Sequence, residues 1–317
     1  MKKIFLVLVL LLLLLGAGGA GFLYYEGMPY VDYALRRGSG GNPLAPPGAF
    51  EDVYSYANKY PSGQPKAPPF EQAEWTLTSF DGLKLSATHF VPQSAESHRW
   101  AILIHGYGCN QRFMWSMADY YLRRGYHVLT PDMRASGRSE GRYLTMGALE
   151  GRDVAAWARA VASEDPEAHI VLHGVSMGAA DVMLALGDGI PAQVKAVVED
   201  SGYSDLRALL QYRMDELGIS HDRLLLAAAN VLMKLRTGAD FDEVRPVEAV
   251  ANSSVPILFI HGTRDELIPV SMMYELAGRS AARDKEAVPV EGARHAAGES
   301  LGRPYYDTVF AFVEKYV

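Results

Sequence analysis

The sequence predicts an α/β protein built on a mostly parallel central sheet with helices on both faces. Short continuous apolar runs, typical of strands buried on both faces, alternate along the chain with segments of helical spacing. Two strands of alternating polarity precede the first of these runs, so we expect one antiparallel edge. The 317 residues, 49% of them hydrophobic, are enough to bury a core of this size.

The amino-terminal segment, residues 1–25, predicts a transmembrane anchor or a signal peptide. Lys2 and Lys3 precede an uncharged run from Ile4 to Tyr25. As a helix this run measures about 33 Å, enough to span the hydrocarbon core of a bilayer. The paired lysines are expected to stay in the cytoplasm, which makes the chain a single-pass membrane protein with its folded domain outside. Secretion after signal cleavage near Ala20 is the alternative, because small residues suited to cleavage lie there.

Residues 26–73 predict a linker, and residues 74–317 predict the folded domain. The linker contains RRGSGGNPLAPPGAF and YPSGQPKAPPF, whose prolines and glycines cannot sustain a helix or a central strand. The domain opens with EWTLTSF and LKLSATHFVP, which flank the turn Asp81-Gly82 and predict the antiparallel hairpin.

Strands and helices are then predicted in alternation along the domain. The strands are WAILIHG, YHVLTPD, HIVLHGVS, VKAVVEDSG, PILFIHGTRD and EAVPVEGARH. Helices are predicted at residues 115–124 and in LEGRDVAAWARAVAS, GAADVMLALGD and YYDTVFAFVEKYV. About fifty residues between VKAVVEDSG and PILFIHGTRD contain only helical patterns, too many for a simple crossover. We therefore expect a helical cap, at about residues 203–252, inserted over the carboxyl edge of the sheet.

The serine of GVSMG has the setting of a nucleophile. Ser176 lies between Gly174 and Gly178, where a predicted strand gives way to a helix. Small flanking residues permit a tight turn that exposes the hydroxyl, and the amides at the helix start favour developing negative charge. Because a lone G-x-S-x-G arises readily by chance, the assignment depends on finding partners.

A serine nucleophile needs a base, and the base needs a carboxylate that orients it. His295 follows the last predicted strand and Asp265 follows the strand before it, so both lie at the carboxyl edge, where such sheets bind ligands. We predict a catalytic triad of Ser176, Asp265 and His295, in the chain order expected for this architecture. Asp200 also ends a strand and is the alternative carboxylate.

Two backbone amides are predicted to form the oxyanion hole: that of Met177, directly after the nucleophile, and that of Tyr107, in HGYG. No metal or organic cofactor is expected, since the sequence has no cluster such as H-E-x-x-H or C-x-x-C. The single cysteine, Cys109, is expected to be a packing residue. A net charge of −7 argues against a nucleic-acid partner.

The order of HGYG, PDMRASGRSEG, GVSMG, HGTRDELIP and GARH resembles that of the α/β-hydrolase superfamily, over roughly residues 74–317. Exported, membrane-tethered bacterial hydrolases are the most similar group. The resemblance implies the α/β-hydrolase fold, the Ser176–Asp265–His295 triad, and a cap or lid made by the helical insertion.

We therefore expect a serine hydrolase, similar to a carboxylesterase or lipase, that acts on a small-molecule or lipid ester outside the cytoplasm. A serine peptidase or amidase would use the same triad, and an acyltransferase would replace water with another acceptor. A membrane-tethered binding module that keeps the fold without turnover is the alternative from a different class.

Overall fold

The computed structural model describes residues 66–216, 218 and 222–317, and near the amino terminus residues 21, 24–25, 27–29, 32 and 35–36. Most of the predicted anchor or signal segment and most of the predicted linker lie outside the described residues. In the part of the chain that is described, no helix combines the length and apolar character needed to cross a membrane.

Eight strands form one central sheet. They are β1 (Glu71–Thr78), β2 (Lys84–Val91), β3 (Arg99–Ile104), β4 (His127–Pro131), β5 (His169–Val175), β6 (Val194–Asp200), β7 (Ile257–Gly262) and β8 (Lys285–Val290). Their order in the sheet is β1-β2-β4-β3-β5-β6-β7-β8. Only β2 runs antiparallel to its neighbours, and every other pair is parallel. The prediction of a mostly parallel sheet with an antiparallel edge is confirmed.

Helices connect the strands and cover both faces of the sheet. Within residues 66–317 they are α1 (Trp115–Arg123), α2 (Glu150–Glu164), α3 (Met177–Ala185), α4 (Leu206–Glu216), α5 (Asp222–Thr237), α6 (Pro246–Ala251), α7 (Ser271–Arg279) and α8 (Arg303–Val313). The sequence pattern predicted all of these except α6 and α7. The first of the two has only six residues, too few to show a period. The second was missed although its buried residues Met272, Met273 and Leu276 recur at helical spacing.

The core consists of two apolar layers, one on each face of the sheet. Along β3, Trp100 and Ile102 belong to the layer that α2 and α3 cover, whereas Ala101 and Leu103 belong to the layer under α1 and α8. Successive side chains of a strand point to opposite faces, so a strand covered on both sides needs an unbroken apolar run. This is why WAILI does not alternate.

Three helices, α4, α5 and α6, occupy the chain between β6 and β7. Of these, α4 and α5 contribute to a third apolar cluster, which also contains Met28 and Leu35 from the amino-terminal residues. Asp32 reinforces this contact, because it accepts a hydrogen bond from the hydroxyl of Tyr143 (2.9 Å) and pairs with Arg236 of α5 (3.0 Å). The amino-terminal residues are thereby attached to the helices that follow β6.

The loop after β4 is held by buried charges. The Arg134 side chain is only 3% exposed and pairs with Asp153 of α2 (2.7 Å) and with Asp81 of the hairpin turn (2.9 Å). Asp132 accepts a hydrogen bond from the backbone amide of Arg138 (2.9 Å). These arginines and carboxylates therefore fix the loop.

Replacing Asp153 with alanine is expected to lower the free energy of unfolding by about 3–5 kcal/mol, because Arg134 then keeps a buried charge without its closest partner. Urea denaturation measures the change. The matched control is Asp119→Ala, which removes the exposed i,i+4 pair with Arg123 and should cost less than about 1 kcal/mol. Equal losses in the two variants would contradict this account of the loop.

Candidate active site

Ser176 occupies a strained turn between β5 and α3. Its backbone has φ 59° and ψ −121°, a conformation that a residue with a side chain adopts only at a cost. A Cβ added to Gly174 would lie 2.0 Å from the carbonyl oxygen of Gly178, and one added to Gly178 would lie 2.4 Å from that of Ile104. Both glycines are therefore needed because three backbone segments meet here, and they leave the serine hydroxyl at the carboxyl end of the strand.

The three residues predicted as a triad lie in one hydrogen-bonded row. Nε2 of His295 lies 2.8 Å from Oγ of Ser176, and its Nδ1 lies 2.7 Å from Oδ2 of Asp265. With the proton on Nδ1 donated to the carboxylate, Nε2 is left to accept the hydroxyl proton of the serine. The structure brings these side chains together, and their catalytic roles stay a prediction.

The carboxylate of Asp265 receives four hydrogen bonds. Its Oδ1 accepts from the backbone amides of Leu267 (2.9 Å) and Ile268 (2.8 Å). Its Oδ2 lies 2.7 Å from Nδ1 of His295 and 3.1 Å from Nε2 of His261. Burial alone would raise the pKa of Asp265, but the two imidazoles outweigh burial and hold that pKa well below its usual range. The group is therefore a fixed negative charge beside His295.

A second buried pair, His261 and Glu199, lies behind this carboxylate. Nε2 of His261 also contacts the carbonyl oxygen of Ile268 at 2.9 Å, which holds the imidazole against the loop of Asp265. Its Nδ1 and Oε2 of Glu199 are both buried without a hydrogen-bond partner. Burial raises the pKa of Glu199 to about 7. Burial lowers the pKa of His261, but the charges of Asp265 and Glu199 outweigh it and raise the pKa to about 8.

The sequence did not indicate this second pair, since a histidine before a glycine and a glutamate inside an apolar strand carry no distinctive spacing.

Asp200, the alternative carboxylate for the triad, has a different set of partners. Its two oxygens accept hydrogen bonds from Ser201 Oγ (2.8 Å) and from the hydroxyl of Tyr305 (2.7 Å). Among the described residues, Asp265 is the carboxylate that contacts the His295 imidazole.

The two amides predicted for the oxyanion hole flank the serine. Met177 begins α3 directly after Ser176. The loop that contains Tyr107 is pressed against the nucleophile, since a Cβ added to Gly106 would lie 3.1 Å from Cβ of Ser176 and 3.6 Å from its Oγ. The placement suits the predicted role, which remains a prediction.

A cavity of about 50 Å³ opens beside the hydroxyl of Ser176. Its walls are mainly apolar, and its polar groups include His295 and the carboxyls of Asp200 and Glu299. Cys109 also lines it, but burial raises the pKa of this thiol to about 12, so it stays protonated and is a poor nucleophile. Over the described ranges, no group of three or more His, Cys, Asp or Glu side chains is arranged to hold a metal ion.

Comparison with known proteins gives both sequence and structural relatives. The sequence profile described as the alpha/beta hydrolase family matches residues 101–305. The uncharacterized protein YqkD of Bacillus subtilis is 27% identical over 251 residues, which is 77% of this chain and 81% of that protein. An Arabidopsis thaliana protein, alpha/beta hydrolase domain-containing protein WAV2, is 25% identical over 196 residues, 60% of this chain and 61% of that protein. Among solved structures, the esterase Pf2001 of Pyrococcus furiosus is similar with a TM-score of 0.64 at 24% identity, covering 79% of this chain and 97% of that one, which shows a shared fold.

Gly178→Ala is expected to destabilise the protein by about 2–3 kcal/mol or more, because the new methyl group meets backbone that cannot move away. The matched control is Gly278→Ala on α7, where an added Cβ has no atom within 4 Å. That change should instead raise the free energy of unfolding by about 0.5–1 kcal/mol. Thermal or urea unfolding measures the stability of both variants. An unchanged free energy of unfolding in Gly178→Ala would be inconsistent with the close approach of backbones at the turn.

Glu199→Gln is expected to alter how stability depends on pH. Glu199 has a raised pKa in the folded state, so its neutral form contributes stability that is full below pH 4.5 and is lost as pH rises through about 7. The free energy of unfolding of the wild type, minus that of the variant, should therefore fall across this window by up to about 1.4 kcal/mol per pH unit. Urea denaturation between pH 4.5 and 7 measures it, and a constant difference would show that Glu199 ionises normally.

Proposed function

Because the chain belongs to the alpha/beta hydrolase family, we propose that it is a serine hydrolase that cleaves carboxylic ester bonds. The observation that carries the proposal is the row Ser176–His295–Asp265, with contacts of 2.8 and 2.7 Å. The fold it shares with the Pyrococcus furiosus esterase adds support. Oγ of Ser176 and Nε2 of His295 are already within hydrogen-bond distance. Neither side chain therefore has to rearrange before the nucleophilic attack.

The proposed reaction proceeds through an acyl-enzyme. Oγ of Ser176 attacks the ester carbonyl while Nε2 of His295 takes the hydroxyl proton, and the amides of Tyr107 and Met177 donate hydrogen bonds to the resulting oxyanion. The tetrahedral intermediate then collapses, the bond to the alcohol breaks, and His295 returns its proton to the leaving oxygen. Water, deprotonated by the same imidazole, attacks the acyl carbonyl and releases the acid and the free serine.

Asp265 has two parts in this scheme. Its hydrogen bond from Nδ1 fixes the tautomer and the orientation of His295, and its negative charge stabilises the imidazolium that forms during attack. The low pKa supports both parts, since the carboxylate stays ionised throughout the range in which histidine acts as a base.

The substrate class that fits the site is a small-molecule ester. The cavity beside Ser176 measures about 50 Å³, whereas pockets that enclose drug-sized ligands measure about 300–1,000 Å³. The enclosed part of this cavity takes only a short group, so a longer group of the ester would have to extend out through its open side. We therefore propose a short group on the side of the ester that enters it.

The cellular location is a separate proposal and depends only on residues 1–25. Their two lysines and long apolar run favour a single-pass anchor with the hydrolase domain outside the cytoplasm, or secretion after cleavage.

Ser176→Ala is expected to abolish labelling by a fluorophosphonate probe and to lower kcat/KM for a short p-nitrophenyl ester by about 10⁴ or more. His295→Ala should cost at least about 10³-fold, since the hydroxyl loses its base. Ser271→Ala, which changes an exposed serine of α7, is the control and should leave labelling and turnover unchanged. Labelling that survives Ser176→Ala would exclude this nucleophile, and a wild type that neither labels nor turns over would favour a binding module.

A further inference from the structure

One carboxyl of the cavity beside Ser176 has no part in the proposed mechanism. Glu299 lies in the 3-10 turn Gly298–Leu301, shortly after His295 in the chain, and it lines the same cavity as Ser176 and His295. Acyl transfer by a serine and a histidine requires no further acid at this position. The presence of a carboxyl in a mainly apolar cavity therefore calls for another explanation.

The carboxyl is anchored through one oxygen only. Oε1 of Glu299 accepts hydrogen bonds from Ser116 Oγ of α1 (2.7 Å) and from the hydroxyl of Tyr306 of α8 (2.6 Å). Neither a hydrogen bond nor an ion pair of the described residues involves Oε2. Asp200 provides the contrast, because both of its oxygens already have donors in Ser201 and Tyr305. Of these two carboxyls in the cavity, Glu299 keeps an acceptor for a ligand.

The walls around this oxygen provide no partner for it. The cavity walls include Phe113, Met114, Met117 and Val175, none of which offers a side-chain hydrogen bond. Burial raises the pKa of Glu299 to about 7, and no positively charged side chain of the described residues offsets it. Oε2 is not fully buried, so water serves it in the free enzyme. When a substituent displaces that water, a hydroxyl or ammonium group donates a hydrogen bond in its place, whereas a methyl group leaves the carboxyl unsatisfied.

The size of the cavity limits what reaches this oxygen. A volume of about 50 Å³ accommodates about three to five water molecules at roughly 10–15 Å³ each. A substituent of only a few non-hydrogen atoms therefore fits between the reacting carbonyl at Ser176 and the carboxyl of Glu299. Only the end of a short chain, and not a bulky ring, can make the contact.

We propose that Glu299 forms a specificity subsite for esters whose short acyl or alcohol group ends in a hydroxyl or an ammonium. The subsite rests on the proposed function, since it takes Ser176 as the nucleophile that positions the substrate. Glu299 acts on specificity alone, because it contacts the far end of the substituent and takes no part in breaking the ester bond. Sites that hydrogen-bond a substrate hydroxyl discriminate strongly against analogues that lack it.

Two pairs of substrates of equal size test the subsite on the wild-type enzyme. Phenyl glycolate and phenyl propionate differ in the acyl group by a hydroxyl in place of a methyl, and 2-hydroxyethyl acetate and propyl acetate differ in the alcohol in the same way. For each pair, the ratio of kcat/KM values is divided by the ratio of alkaline hydrolysis rates, which removes intrinsic reactivity. In at least one pair, we expect a preference of about tenfold or more for the hydroxyl-bearing ester, because a hydrogen bond to a charged group typically has an effect of this size. The pair that shows it identifies whether the acyl or the alcohol group enters the cavity.

Glu299→Met should bring that ratio to within about threefold of one, with hydrolysis of the methyl-bearing ester retained. The variant has nearly the same side-chain length, and its end offers a substrate hydroxyl neither a donor nor a strong acceptor. Ser116→Ala is the matched control, because it removes one anchor of Oε1 but leaves the carboxylate, so the preference should persist. Unfolding temperatures of both variants show that they are folded.

The outcomes distinguish a failure of the proposed subsite from a failure of the proposed hydrolase function. If the wild type hydrolyses the methyl-bearing esters but shows no preference in either pair, the proposed subsite is refuted and the proposed hydrolase activity is not. If Glu299→Met keeps the full preference, another group recognises the hydroxyl and the assignment to Glu299 is overturned. If the wild type hydrolyses none of the esters and takes no fluorophosphonate label at Ser176, the proposed function fails and the subsite fails with it.

Discussion

The arrangement of the site depends on the ionised carboxylate of Asp265. This one group accepts from two backbone amides of its own loop and from two imidazoles, so its position is fixed from four directions. The parallel pairing of β7 with β8, up to Gly262 opposite Val290, sets the distance between the loops that carry Asp265 and His295. A side chain at Gly262 would collide with the carbonyl oxygen of Ala293, at 2.3 Å. The sheet edge therefore determines where the imidazole faces the serine.

The environments of the buried carboxyls differ in a way that separates their chemistry. Asp265 is surrounded by donors and by histidines, which keep its pKa low despite burial. Burial dominates at Glu199 and Glu299, and the pKa of each rises to about 7. The pKa values of these carboxyls therefore differ widely, so that Asp265 stays ionised whereas Glu199 and Glu299 titrate near neutrality. Different environments can give the same functional group different roles in this way.

The sequence predicted the arrangement of the site where the position of a residue in the chain determines its position in the sheet. In a parallel sheet, residues that directly follow strands share one edge, so Ser176, Asp265 and His295 were predicted as neighbours from their positions alone. The strands were recognisable because burial on both faces leaves unbroken apolar runs. Glu199 and Glu299 were missed because their importance comes from neighbours in other elements, such as His261 for the former and Tyr306 for the latter. The helix α6 was missed because six residues are too few to show a period, whereas α7 was missed although its buried residues Met272, Met273 and Leu276 recur at helical spacing.

The attachment of the amino-terminal residues to α5 has a mechanical consequence. Met28 and Leu35 are embedded in the apolar cluster that α4 and α5 share, and Asp32 is held by Tyr143 and Arg236. These contacts precede β1 in the chain, so a pulling force applied at the amino-terminal end is taken up by α5 and by the loop of Tyr143 before it reaches the sheet. Tension at the amino-terminal end therefore acts first on the contacts around Asp32 and on the third apolar cluster.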